Sequence, residues 1–569
     1  MQYDTLRLNA AVMEDAPVQM PAHINFFYAY RNDLIALALV LSTLVMTAIA
    51  GETPTSPSNT IRALPAALGI TECTASGKGH DYQVGGNEPG HLPELDDVPW
   101  ERLSSGDTVR LSYRNSPYKG KILITGEGKP DAPIRICGIR GPNNERPVID
   151  GDGATTRSVL ETLYASQAYS PLFQKRAVVL VKADIAHGNA WTNYPKHIQI
   201  DGLQIRGATP NHTFTMASGA KSQYESFGAC IWIDRGKYIL IADNEINDCT
   251  NGIFAKSTSD GDFSVTANIK IAGNYVHDNG VVGDEHQHNS YVESKSVIYE
   301  FNHYGPLHHG ALGNAIKDRS IGTIVRYNRL EEGAHSIDLV EAEDFAQTAT
   351  NDPEYRAAFV YGNQIIKNGD TGSFIHYGGD HYGSNKATMN SGATWGEPEF
   401  RKGTLYFYNN TVIAHGKSPR IFQLSTTEES ADVWNNIILL DSDGFFDKLN
   451  LRTTTQGLGP YWVAGGTMRL GVNWISPGWS DSDRFHPIPG PITGSSNVIS
   501  TKVLPISLQT LIPLPGSAVI GAGKGGPDAV KQYPVTAQLD RQLRPTDRPA
   551  DIKNAIDLGA VGSVQANSK

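Results

Sequence analysis

An all-β fold, a right-handed parallel β-helix with capped ends and loops inserted between its rungs, is the architecture that this 569-residue chain predicts. Three observations carry that expectation. The chain has 57 Gly and 32 Pro against 19% charged residues, a composition that suits many turns and short strands better than helical bundles. A run closing on Asn recurs as ILIADNEI, IKIAGNYV, VIYEFNHY, TIVRYNRL, FVYGNQI, LYFYNNTV and ADVWNNII. Aligning its Asn244, Asn274, Asn302, Asn328, Asn363, Asn410 and Asn436 gives steps between 26 and 47 residues. A constant core motif at variable steps is what a solenoid gives when loops are inserted between its coils. Finally, no helix of ordinary length is written after Ala50.

The elements follow in order. Residues 1–50 read as a signal peptide or N-terminal anchor, because DLIALALVLSTLVMTAIA, from Asp33 to Ala50, is apolar and ends in an A-x-A pattern suited to cleavage before Gly51. The preceding segment is long and poor in Lys and Arg, so Met13 and Met20 are alternative starts. A secreted or periplasmic protein is expected, with no membrane contact beyond such an anchor. Residues 51–100 are polar and loop-like and are expected to cap one end. The β-helix is placed at 101–500, opening with SSGDTVRLSY, GKILITG, APIRICGI and RPVIDGDG, short strands punctuated by Gly, Pro and Asp. Residues 501–569, with PGSAVIGAG, an Asp-x-x-x-Arg-Pro turn and a final Asp-x-Gly, close the last coil. Each corner Asn is expected to adopt left-handed backbone geometry and to bond the next coil, so that the stack forms a ladder.

Four cysteines fit an exported protein: Cys73 with Cys137 would pin the N-terminal segment to an early strand, and Cys230 with Cys249 would staple neighbouring turns. Four cysteines allow three pairings, and buried free thiols are an equal alternative. The net charge of −11 argues against a general nucleic-acid or membrane-surface role.

The functional stretch runs from His286 to Asp344. Its runs NSYVE, NAIKD and HSIDLV each place a polar residue after a small or apolar one. Alternation along a strand then turns Ser290, Ile316 and Ile337 to the core and Tyr291, Lys317 and Asp338 outward. Adding ACIWID, NGIFAK and SFIHYG in the same register extends the outward column to Asp234, Lys256, Tyr291, Lys317, Asp338 and His376, with neighbours roughly 4.8 Å apart on consecutive rungs. Lys317 is expected to stand exposed on that face. Seven of the 17 histidines, His277, His286, His288, His303, His308, His309 and His335, cluster around it.

With these rungs and the exported N-terminus, the chain resembles the β-helical polysaccharide lyases, in particular the chondroitinase B and alginate lyase group. The resemblance covers roughly residues 101–560 in fold; in site it rests on NAIKDRS and its neighbours. It implies a Lys base and an Arg partner on adjacent rungs, with Ca2+ held by acidic residues to neutralise a uronate carboxylate. Lys317 matches the Lys by rung context. Arg319 lies two residues along the same strand, whereas the next rung carries Val340.

The expected activity is therefore β-elimination on an acidic, uronic-acid-containing polysaccharide. Lys317 and Arg319, with Tyr291 and His288 as further acid or base groups, are the catalytic set, Arg319 offering a planar grip on the carboxylate. Asp338, His376, His335, Asn289, Asn314 and Tyr377 are the expected substrate contacts. Glu341, Glu343 and Asp344 are the expected calcium ligands, a hard-oxygen set. Trp232, Tyr304, Phe374, Tyr382 and Trp395 are candidates for stacking on sugar rings. Two other classes remain: a glycoside hydrolase pairing Asp338 with Glu341, Glu343 or Asp344, and a carbohydrate-binding solenoid without catalysis.

Overall fold

The computed structural model describes residues 68–563, except 87, 162–169, 184–193, 384–395, 443, 454, 457–461, 464, 483–489 and 550–554. The apolar run ending at Ala50 and the candidate Trp395 lie outside the described residues. Among the described residues no helix is long and apolar enough to cross a membrane.

Three long parallel sheets, of 13, 11 and 11 strands, run the length of a right-handed parallel β-helix. Each complete coil gives one strand to each sheet, the first and last coils fewer. Lys295–Glu300 belongs to the first, His303–Tyr304 to the second and Ile316–Asp318 to the third; the next coil repeats this with Ile321–Arg326, Arg329–Glu331 and Ile337–Leu339. The first sheet begins at Asp81–Val84, inside the stretch read as loop, which pairs in parallel with Thr108–Ser112. The longest described helix is the seven-residue Ser170–Arg176.

Period-two alternation builds the core. Ile231, Ile253, Ile316, Ile337, Ile375 and Phe422 of the third sheet are buried against one another and against Val297, Val325 and Val360 of the first. These β-branched and aromatic residues fit a pleated sheet that is covered on its inner face.

The corner asparagines form the expected ladder. Asn244 donates from both its backbone N and its Nδ2 to Asn274 Oδ1, at 3.0 and 3.1 Å, and the pattern repeats through Asn302, Asn328, Asn363, Asn410 and Asn436 to Asn473, which the sequence reading had not included. The left-handed residue, however, is the one before each Asn: Asp243, Gly273, Phe301, Tyr327, Gly362, Asn409 and Asn435 all have φ between 50° and 68°. The turn needs its positive φ one step earlier, which frees the Asn side chain to lie along the axis of the stack.

Cys73–Cys137 and Cys230–Cys249 are disulfides, and no described cysteine is free. Past the last coils the chain runs back along the outer face of the second sheet, where Ile506, Leu511, Val519, Leu558, Ala560 and Val561 cover Ile413, Ile437, Leu439 and Trp474. Asp540 and Arg544 close the Asp-x-x-x-Arg turn as an ion pair, Nε to Oδ2 at 2.8 Å.

Candidate active site

Register decides which side chains meet. On the third sheet Tyr291 pairs with Lys317, Lys317 with Asp338 and Asp338 with His376, so these four share one outer face as the sequence predicts. Asp234 and Lys256 do not join them. Trp232 pairs with Phe254 and Phe254 with Tyr291, which shifts the two earlier rungs by two residues. A two-residue slide preserves the inward and outward pattern, so alternation alone does not detect it. The corrected second column, one step past each strand end, reads Asp234, Lys256, Glu293, Arg319, Val340 and Gly378, joined by backbone bonds such as Arg319 N–H to Val292 O.

Lys317 was expected to be exposed; it is 7% exposed and Asp338 1%. The segment that follows Ile375–Tyr377 folds over them. Lys317 Nζ donates to Asp338 Oδ2 at 3.0 Å and to Asp380 Oδ2 at 2.5 Å. Burial alone would lower the Lys317 pKa, but the carboxylates of Asp338 and Asp380 override it and hold the ammonium charged. In this arrangement the lone pair that a base needs is taken up by the proton, which does not favour the expected role.

Arg319 is buried as well. Its Nε donates to Tyr291 Oη at 2.9 Å, Nη1 to Glu341 O at 2.8 Å and Nη2 to Asp380 Oδ1 at 3.1 Å. All three guanidinium nitrogens are thus engaged within the protein, where the sequence reading expects them to face a substrate carboxylate. Tyr291 is half-buried, packed edge-on against Phe254 and Phe227, with the His288 ring 5.4 Å away. Burial pushes the Tyr291 phenol up, and the Arg319 charge pulls against it without cancelling it. His288 is buried and kept neutral, first by desolvation and then by Lys317; its Nδ1 accepts from Asn314 N–H at 2.9 Å. The four residues read as catalytic are thus brought together, in different roles.

The expected substrate contacts divide. Asn314 donates to Asp338 Oδ2 at 2.8 Å, and His376 Nδ1 lies 2.7 Å from Asp338 Oδ1, with Ser425 Oγ 2.9 Å from its Nε2. These groups are buried and support Lys317 rather than a ligand. Asp338, with both oxygens taken, is not free to act as a hydrolytic carboxylate. Half-buried His335 bonds Ser373 Oγ at 2.9 Å. Tyr377 and Asn289 are corrected outright: Tyr377 lies in the core because it alternates with His376, and Asn289 is buried at a coil corner, donating to Gly305 O at 2.9 Å. Trp232, Tyr304 and Phe374 are buried too, while Tyr382 is half-exposed.

Glu341, Glu343 and Asp344 do not converge as calcium ligands. Glu341 accepts the backbone N–H groups of Asp380 and His381 at 2.9 and 2.8 Å, Glu343 lies 3.5 Å from Arg319 and Asp344 3.4 Å from Lys256. Neighbouring cations hold each one apart. The carboxylate and histidine groups that do lie close are Glu341–Asp380–His381 and His335–Asp338–His376, sets whose donors suit a metal ion by type. In both, Lys317 or Arg319 also sits against the carboxylates.

Sequence reasoning missed Glu293, Asp380, His381, Ser425 and Arg401. Arg401, fully buried, donates to Asp318 Oδ2 and Val340 O at 3.0 and 2.9 Å and ties down the covering segment. Most of these come from insertions without periodicity. Glu293 was findable: it stands two residues past Tyr291 as Arg319 stands past Lys317.

No family model matches the sequence, and no curated protein matches it. Among solved structures, an alginate lyase from Paenibacillus sp. str. FPU-7 is similar at 12% identity, covering 62% of this chain and 93% of that one, with a TM-score of 0.34. A pectate lyase is similar at 11% identity over 88% of this chain and 98% of that one, TM-score 0.35. A GH136 lacto-N-biosidase from Eubacterium ramulus is similar at 11% over 74% and 68%, TM-score 0.39.

Proposed function

We propose that the protein is a polysaccharide lyase that cleaves an acidic, uronic-acid-containing polymer by β-elimination, with Tyr291 in place of Lys317 as the proton-abstracting group. The observation that carries this is the 2.9 Å bond from Arg319 Nε to Tyr291 Oη. Burial raises the Tyr291 pKa, and the guanidinium fixed on the phenol oxygen is the group that pulls it back towards the phenolate; of the column from Tyr291 to His376, Tyr291 is the half-buried member. Elimination needs a base at C5 of the uronate and positive charge at its carboxylate, where the intermediate gathers electrons. Half-buried Lys256, 3.4 Å from Asp344, and exposed His381, raised by its bond to Glu341, are the rim cations for that carboxylate, which would compete with the acidic partners they have now. Lys317, Asp338, Asp380 and His376 form the buried frame that fixes Arg319.

The test is a panel of alginate, pectate, chondroitin, hyaluronan and glucuronan, read by the ultraviolet absorbance of the unsaturated uronate product. Tyr291→Phe should lower the rate at least about 100-fold while keeping the fold. New reducing ends without that absorbance would replace elimination with hydrolysis. Polymer retained with neither product would leave a binding protein.

A further inference from the structure

Beside Tyr291 stands a carboxyl group that the elimination does not yet use. Glu293 follows Tyr291 by two residues on the same face, in the column between Lys256 and Arg319, with its backbone N–H bonded to Ala255 O at 2.8 Å. It is 3% exposed, and its Oε2 is buried without any hydrogen-bond partner. An ionised carboxylate oxygen in that position costs far more than a protonated one. Burial first, then the neighbouring charge of Asp344, pushes the group up to about 8, with Arg319 pulling the other way. The exposed carboxylates of Glu343 and Asp344 are its acidic neighbours.

We propose that Glu293 is the proton donor to the departing glycosidic oxygen. This rests on the reading of the site as one that cleaves a polysaccharide. The step balances: the Tyr291 phenolate takes the C5 proton, the C4–O4 bond breaks as the C4=C5 bond forms, and Glu293 gives its proton to O4, ending as a carboxylate. Solvent then resets both groups. A phenol that must lose its proton beside an acid that must keep it gives a rate that rises with pH to about 8 and then levels. Hydrolysis of the same linkage would need the same proton on the same leaving oxygen, so the role outlives a failure of the elimination reading.

Two substrates separate these outcomes: the polymer that the wild type cleaves, and a synthetic analogue whose leaving group is dinitrophenolate, which departs without protonation. Glu293→Gln is expected to slow the polymer by about 100-fold or more, to change the analogue less than about 10-fold, and to lose the levelling near pH 8. Infrared difference spectra of the wild-type protein minus Glu293→Gln should show a protonated carboxyl at neutral pH, lost with a midpoint near 8. Equal losses on both substrates, an unchanged polymer rate, an ionised Glu293 at neutral pH, or a wild type that cleaves no polymer would each overturn the assignment. Reducing ends without ultraviolet absorbance, with the Glu293→Gln pattern intact on an aryl glycoside, would overturn elimination and keep the acid.

Discussion

Lys317 is where residue-scale physics departs furthest from the pattern in the sequence. The alternation places it on the correct face, but burial there depends on Asp380, which comes from a segment with no periodicity. An exposed lysine would contribute little to folding. This one, between two depressed carboxylates, is different: Lys317→Ala should destabilise the protein by about 2–4 kcal/mol in denaturant unfolding, because Asp338 would stay buried with only Asn314 and His376 on it and half-buried Asp380 would keep only Arg319. Lys317→Ala combined with Asp338→Asn should recover part of that loss, and an unchanged midpoint in the single variant would refute the buried frame. Glu293 gives a second residue-scale prediction. Its pKa is raised from an ordinary value of 4.5 to about 8, so the folded state binds the extra proton between those values. The stabilising contribution of protonation is full below 4.5 and is lost as pH rises through 8. The wild type should therefore lose stability across that window by an amount on the order of a few kcal/mol, whereas Glu293→Gln should show a flatter profile, measured as midpoint against pH.

At the scale of elements, the recurring Asn made the coils legible because a corner that repeats must repeat its chemistry. Which residue bends the chain was only partly legible: Gly273 and Gly362, and more weakly Asp243, Asn409 and Asn435, are types that take positive φ, whereas Phe301 and Tyr327 carry no such signature. Nor was the two-residue slide at Asp234 and Lys256, because Ile253 and Ala255 offer the same inward face. Asn328 accepts from Asn302 N and Nδ2 at 2.9 and 3.0 Å and donates onward to Asn363. Asn328→Ala should cost about 2–4 kcal/mol, with faster hydrogen exchange confined to the adjoining coils. At Gly362, φ is +68° and an added Cβ would lie 2.5 Å from the Tyr327 ring. Gly362→Ala should cost at least about 1–2 kcal/mol, and an unaffected melting temperature would contradict that corner.

For the whole molecule, stacked coils make stability a sum of neighbours rather than a single event. The fold class was readable because composition and repeat agreed; the start of the first sheet was not, since Asp81–Val84 is polar and short. Cys73–Cys137 closes 64 residues and Cys230–Cys249 closes 19, both in the N-terminal half of the described solenoid. Reduction should raise hydrogen exchange there first, leaving coils after Asn328 protected, and uniform loss of protection would show a single cooperative unit instead. The Asn ladder has one more property. Its eight side-chain amides are joined by seven bonds of one direction, each running from the Nδ2 of one Asn to the Oδ1 of the Asn on the later coil. The row begins with Leu203 N–H on Asn244 Oδ1 and runs to Asn473, so it is a directional line of dipoles inside an otherwise apolar wall, with its oxygen end toward the N-terminus. Each unit polarises the next, and cutting the row in the middle yields two weaker segments where trimming an end only shortens it. A coil added with its own Asn in register would extend that polar axis rather than interrupt it, which gives a solenoid of this kind a chemical rule for growing by whole turns.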